Sequence, residues 1–151
     1  MIGMIFYLGV CFAVSLVITF LYVMTRPIRN RDEMRSWRVG IGVLLFIVAL
    51  PYIGIEAQTR IWGDKMKDAV ADTMDEAGIQ GEMLYYKVLF YQGDKARVLA
   101  IGEERQSWGG TDHPAVKMTL LKGKKGWEAE SYHIVYSDNR NLDGVVFPPY
   151  W

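Results

Sequence analysis

From Met4 to Met24 the chain runs for 21 residues (MIFYLGVCFAVSLVITFLYVM) without one charged side chain. As a helix this run extends about 31 Å, the thickness of a bilayer's hydrocarbon core, and it is read as a transmembrane helix. A cleaved signal peptide needs a positively charged start and a small-residue cleavage site. Here the chain starts Met1-Ile2-Gly3 and the run closes Tyr22-Val23-Met24. A lipoprotein signal fits no better, because Cys11 follows Leu8-Gly9-Val10; the residue reads as a buried small apolar one. As the sole cysteine it also excludes an intrachain disulfide framework and a cysteine-based zinc cluster.

A second run, Val39 to Ala57 (VGIGVLLFIVALPYIGIEA), reaches about 28 Å. Trp37 precedes it and Trp62 follows, placed where amphipathic rings favour a membrane surface. Pro51 is expected to kink its far end, since proline removes a backbone donor and crowds the carbonyl four residues back. Charge is sorted unevenly along the chain. Residues 1–25 carry none, residues 26–38 carry Arg26, Arg29, Arg31, Arg35 and Arg38 against two acids, and residues 56–151 carry 12 Lys+Arg against 15 Asp+Glu. The arginine excess in the short connection 25–38 predicts a cytoplasmic loop, with the N-terminus and everything from residue 58 on the opposite side of a plasma or bacterial inner membrane. The same arginines can meet anionic lipid headgroups. Outside this stretch no segment has the basic excess that phosphate neutralisation needs, which argues against a nucleic-acid partner. Neither run contains Asp, Glu, Lys, Arg or His between Met4 and Met24 or between Val39 and Ile55, which disfavours a transporter or channel acting alone. Gly9 and Ala13 form a small-xxx-small pair expected to seat a second helix, most simply the second span with its Gly40 and Gly42.

Domains are therefore placed at 1–57, a helical hairpin with spans 4–24 and 39–57, and at 58–151, an extracytoplasmic α+β domain. From Glu56 the pattern is amphipathic: Trp62, Met66, Ala69, Val70, Thr73, Met74 and Ala77 share one helical stripe, with Gly78 as C-terminal cap. With no Pro or Gly cluster between them, the second span is expected to run into this helix with a bend near Gly63. After Gly81 the period becomes that of strands. Glu82–Tyr91 and Ala96–Glu103 flank the turn Gln92-Gly93-Asp94-Lys95. Ala115–Lys122 and Trp127–Ser137 flank Gly123-Lys124-Lys125-Gly126, whose glycines are free to take positive φ. The result is an amphipathic helix followed by a four-stranded antiparallel meander, one face covered by the helix and the other open. Over roughly Glu56 to Ser137 this is similar to the architecture of the cystatin-like and nuclear-transport-factor-like superfolds, an analogy of architecture that implies no particular activity.

Residues able to do chemistry are few. No HExxH, P-loop, GxSxG or GxGxxG pattern occurs after the second span. Asp112-His113-Pro114 is placed in a loop between the hairpins and His133 in the last strand. A zinc site would need these groups in one tetrahedral shell, and separate, locally hydrogen-bonded histidines are the simpler reading. Glu128 and Glu130 share a strand face and Glu103-Glu104 end a strand. With Lys122, Lys124, Lys125 and Arg105 nearby, they read as a solvated face with cross-strand ion pairs rather than an acid–base pair. No catalytic residue, metal ligand or cofactor is assigned.

Two segments carry the candidate partner-binding residues. In Arg105–His113, Trp108 stands beside Gly109 and Gly110, a residue type enriched where binding energy concentrates. At the C-terminus, after the polar turn 137–141, come Phe147, Pro148, Pro149, Tyr150 and Trp151, whose apolar side chains are costly to leave in water and whose prolines stiffen the segment before docking. Arg26, Arg29, Arg31, Arg35, Arg38, Trp37 and Trp62 are the membrane-surface residues. The sequence leads to a non-enzymatic accessory or assembly subunit of a membrane protein complex. The alternative is a membrane-anchored module for a small apolar or lipid ligand, lined by Tyr85, Tyr86, Phe90, Tyr132 and Tyr136.

Overall fold

The computed structural model describes residues 2–25, 36–105, 109–124 and 126–145. Its first helix, α1, spans Ile2–Met24, and the second, α2, spans Ser36–Trp62. Both are long and apolar enough to cross a membrane, and little of either is buried within the protein. By contacts the chain divides into two units, one up to Ile53 and one from Gly54 onward. α2 passes through Pro51 without ending.

Within the first unit α1 turns a narrow seam toward α2. Its buried residues are Tyr7, Cys11 and Ser15, four residues apart, and Thr19 continues the same row half-buried; this is the i, i+4 row of a helix surface. Gly9 and Ala13 lie off the row and are exposed, and a Cβ added at Gly9 would meet nothing within 4 Å. The expected Gly9/Ala13 seam is thus replaced by one two residues out of phase. Close approach comes from Gly40 on α2, where an added Cβ would sit 3.7 Å from the Thr19 hydroxyl oxygen.

In the second unit, α2 gives way after Trp62 to a 3-10 turn, Gly63–Lys65, and then to α3, Lys67–Glu76. Met66, Val70, Thr73 and Met74 form the buried stripe. The end of α3 is set by Gly78 at φ 74°. The Gly78 N–H donates to the Asp75 carbonyl (3.0 Å) and the Ile79 N–H to that of Met74 (3.2 Å), with Ile79 and Met74 both in the core. This is a Schellman cap with its apolar contact.

Among the described residues the sheet has six strands rather than the four expected: β1 Gly81–Gln92, β2 Lys95–Arg105, β3 Thr111–Asp112, β4 Ala115–Lys122, β5 Trp127–Ser137 and β6 Leu142–Asp143. All pairings are antiparallel, in the order β1-β2-β4-β5-β6, with β3 on β2 beside β4. Both expected hairpins are present. β3 and β4 are one strand interrupted at His113-Pro114, where proline has no N–H to give the ladder; the Pro114 carbonyl still accepts from Gly102 N (3.0 Å). Asp112 therefore belongs to the sheet, while His113 and Pro114 form the expected break between strands.

The core lies between α3 and one sheet face. Val88, Ala96, Val98, Ala100, Val116, Met118 and Leu120 are sealed there against Met66, Val70 and Met74. Gly102 is the tightest point under α3, since a Cβ there would lie 2.7 Å from Met74 Cε. Gly81 admits even less, its Cβ position falling 1.5 Å from the Glu103 carbonyl oxygen. The last turns of α2 pack along the outer edge of β1. Thr59 Oγ1 accepts from the Val88 N–H (2.9 Å), Glu56 pairs with both Arg60 and Lys87, and Trp62 stacks on Tyr91 with ring centroids 4.3 Å apart.

Candidate functional site

The helix pair puts its polar atoms inside. The Tyr7 hydroxyl donates to the Val48 carbonyl (2.7 Å) and the Ser15 hydroxyl to the Gly40 carbonyl (3.1 Å). Pro51 deprives the Ile47 carbonyl of its helical donor, and Tyr7 places a hydroxyl one residue along at that weakened turn. Tyr7 also meets Tyr52 edge-on at 6.3 Å. Thr19 Oγ1 is buried without a hydrogen-bond partner. The outward side chains are apolar, among them Ile5, Phe6, Phe12, Leu16, Val17 and Phe20. A groove of about 370 Å³ opens between the helices, lined by Phe12, Leu16 and Thr19 of α1 and by Trp37, Gly40, Ile41 and Leu44 of α2.

Trp37 is 60% exposed, and the Arg38 guanidinium lies 5.7 Å from its ring centre. Arg26, Arg29, Arg31 and Arg35 lie outside the described residues. Trp62 takes part in the second unit's core edge through Tyr91, and the Lys65 ammonium sits 5.0 Å from its ring centre.

At the far end of the sheet lies a polar cluster that the sequence does not announce. Asp112 is completely buried. Its carboxylate accepts from the Ser137 hydroxyl (2.6 Å) and from the N–H groups of Asp138 (3.1 Å) and Asn139 (3.2 Å), so it holds the turn between β5 and β6. Burial alone would raise its pKa, but the Ser137 hydroxyl and the backbone N–H groups of Asn139, Asp138 and His113 outweigh that and keep it below the ordinary carboxylate value. From the same turn Arg140 reaches Glu104 (2.8 Å), the Ser137 hydroxyl (3.2 Å) and the Gly78 carbonyl (3.3 Å). The cluster ties β3, the β5–β6 turn, the end of β2 and the cap of α3 together. Its carboxylates are taken up by these bonds, so its chemistry is structural.

Asp112 thus has no free oxygen to join His113 and His133. His113 is exposed beside it, and His133 faces Lys117 across β4 and β5 on the open side of the sheet. Among the described residues no three His, Cys, Asp or Glu side chains converge as metal ligands would. Glu103 and Glu104 alternate to opposite faces of β2: Glu104 pairs with Arg140, while Glu103 lines a polar cleft of about 340 Å³ with Gln80, Gly81, Glu82 and Arg105. Glu130 sits at a bulge and pairs with Lys95 (2.7 Å), the cross-strand ion pairing expected of that face.

The five aromatic residues proposed to line one cavity are divided by the register. Tyr86 and Tyr132 stand on the α3 side, the latter donating to the Glu76 carbonyl (3.3 Å). Tyr85, Phe90 and Tyr136 stand on the open side. Of the candidate partner-binding residues, Gly109 is exposed with φ 93° and Gly110 half-buried; Trp108, Phe147, Pro148, Pro149, Tyr150 and Trp151 lie outside the described residues. Comparison of the chain with protein-family models, with curated proteins and with solved structures finds no match to any of them.

Proposed function

We propose that this protein is anchored in a membrane by the α1–α2 hairpin and serves as a non-enzymatic accessory or assembly subunit of a larger membrane complex, its second unit lying on the extracytoplasmic side. The observation that carries the reading is the reversed polarity of the hairpin. Tyr7, Ser15 and Thr19 turn their hydroxyls into the seam while Ile5 and Phe6 are 70% and 74% exposed. In water this arrangement hides the groups that solvate well and exposes those that do not. In hydrocarbon it is the favourable one, because polar groups there must find partners inside the protein.

Support for a protein partner comes from the open sheet face, where Tyr85 and Phe90 of β1 and Leu121 of β4, with β2 between them, are 37%, 48% and 37% exposed. Exposed aromatic and aliphatic side chains grouped on one face are what a docking subunit offers. The ligand-module alternative draws less support, since its five lining residues do not share a wall.

The test is purification of the tagged full-length chain from its native membrane in mild detergent after crosslinking, with mass spectrometry of what remains bound. A stoichiometric membrane polypeptide is the expected result; the chain recovered alone overturns the subunit reading. Anchoring is read separately by alkaline extraction, where release into the supernatant overturns it. For the side of the membrane, Lys124→Cys in a Cys11→Ala background should react with an impermeant maleimide in intact cells. Labelling only after permeabilisation would reverse the orientation.

A further inference from the structure

Register lays out the side of the sheet turned away from α3 row by row. Across β1, β2, β4 and β5 one row is Lys87, Leu99, Lys117 and His133, and the next is Phe90, Arg97, Thr119 and Ser131. Neither holds an acid. On one side of them Tyr85, Ile101, Ala115 and Tyr136 form an uncharged row; on the other, Gln92, Lys95, Leu121 and Glu128 end in an acid at the outer corner. Glu56 is taken up by Lys87 and Glu130 by Lys95. Arg97 and Lys117, on the inner strands β2 and β4, are exposed, and among the described residues neither forms an ion pair.

α3 carries the opposite sign on the opposite side of the unit. Asp68, Asp72, Asp75 and Glu76 are exposed on the helix surface turned away from Met66, Val70 and Met74, with Lys67 the one cation in the helix. Among the described residues none of these acids has an ion-pair partner. No basic residue stands in the last turn of α3, so Asp75 and Glu76 lie unfavourably at the negative end of their own helix dipole.

We propose that the open sheet face docks the outer surface of α3 from a second copy of this chain, so that the units associate head to tail. This docking rests on the proposed reading of that face as a subunit contact and names its partner. Charge and dimension both favour a second copy. The row from Lys87 to His133 crosses three strand spacings, about 14 Å, and the acidic stripe from Asp68 to Glu76 rises about 12 Å. A helix laid along the row brings Asp68 and Asp72 to Arg97 and Lys117, with Phe90 against the half-buried Ala71 between them. Two sheet faces meeting about a two-fold axis would instead set Arg97 and Lys117 against like charges. Because the two surfaces differ, each associated copy keeps one of them open for a further copy.

The experiment is sedimentation velocity of the purified full-length chain in a nonionic detergent. Oligomers that grow with protein concentration are expected at about 50 mM salt and their loss at about 500 mM, where exposed charges are screened within a few ångströms. Asp68→Gln with Asp72→Gln, and separately Arg97→Thr with Lys117→Thr, should each weaken association about ten-fold, the effect of two exposed ion pairs. Mixed in equal amounts, the two double variants should give a one-to-one dimer and nothing larger, since one keeps only its sheet face and the other only its α3 surface; this recovery also shows that both are folded. An unaltered chain that stays monomeric at low salt, association that either double variant leaves undiminished, or a mixture without dimer overturns the proposal. Crosslinking in the native membrane separates the two readings. A monomeric chain that still retains a different polypeptide, lost with Arg97→Thr and Lys117→Thr, refutes self-docking alone, and a chain that retains nothing refutes the subunit reading with it.

Discussion

The two units of this chain solve the burial problem in opposite senses. From Gly54 on, Val98, Leu120 and Val116 are sealed from solvent while Lys, Asp and Glu cover the outside, and among the described residues the one fully buried carboxylate, Asp112, accepts hydrogen bonds from Ser137, Asp138 and Asn139. Before Ile53 the seam holds the hydroxyls of Tyr7 and Ser15, and the outside is Ile, Leu, Phe and Val. A single average hydropathy describes neither. On the proposed reading burial in this protein is measured against two solvents, and each substitution below asks which solvent a residue meets.

The largest effect is expected from Val98→Asp. An unpaired carboxylate at a fully buried strand position costs several kcal/mol, on the order of the stability of a whole domain. Limited proteolysis should then degrade the second unit while α1 and α2 persist as a membrane fragment. Next is Asp112→Ala, which leaves the Ser137 hydroxyl and the N–H groups of Asp138 and Asn139 without their acceptor. About 3 kcal/mol is expected, from the loss of hydrogen bonds to a charged group, read as a lower denaturant midpoint.

The pH dependence follows from the same residue. Because folding depresses the Asp112 pKa, its contribution is fully present above the unfolded carboxylate value, about 3.8, and is lost as pH falls through the lower folded value. The native chain should therefore lose stability in that acid window, and Asp112→Ala should show a flatter acid profile there.

Leu16→Asp sharpens the comparison most directly. Leu16 is 55% exposed, so if the hairpin stood in water the change would shift stability by no more than about 0.5 kcal/mol. Against lipid it should disfavour insertion by about 2.5–3.5 kcal/mol, seen as a falling membrane-integrated fraction. The smallest effect belongs to Tyr7→Phe, which removes the bond to the Val48 carbonyl. An interhelical hydrogen bond in a membrane is worth about 0.6 kcal/mol, so thermal unfolding in detergent should show a drop near the limit of measurement.

Much of the architecture is legible in the residues because its signals are periodic. The two apolar helices, the stripe Met66, Val70, Thr73 and Met74, the cap at Gly78 and both hairpins follow from spacing alone. The rest depends on signals that periodicity does not carry. β3 and β6 are two-residue pairings, too short to alternate, and Pro114 disguises the first as loop. Tyr85 and Tyr86 are consecutive in β1 and face opposite sides by alternation alone, while the bulge between Val88 and Phe90 moves Phe90 to the side of Tyr85. In α1, where nearly every residue is apolar, hydrophobicity cannot mark the inward face. Its marker is the polar row Tyr7, Ser15 and Thr19, and Gly9 and Ala13 are misleading because small size matters only where a neighbour arrives. The Asp112 cluster joins residues at least 25 positions apart, beyond the reach of any local pattern.

The Arg140 clasp has a kinetic side. Its partners Glu104 and Gly78 lie 36 and 62 positions back along the chain, so it closes only after β1 to β5 have found their register and α3 has been capped. Contacts of such long range come late in folding, because the loops they close are entropically expensive until nearer pairings have shortened them. A nascent chain emerging from residue 54 onward would hold α3 and its first hairpin without this fastening until residue 140 appears. Replacing Arg140 should accordingly leave the refolding rate nearly unchanged and act on the rate of unfolding, making the far end of the sheet the place where the folded unit first comes undone.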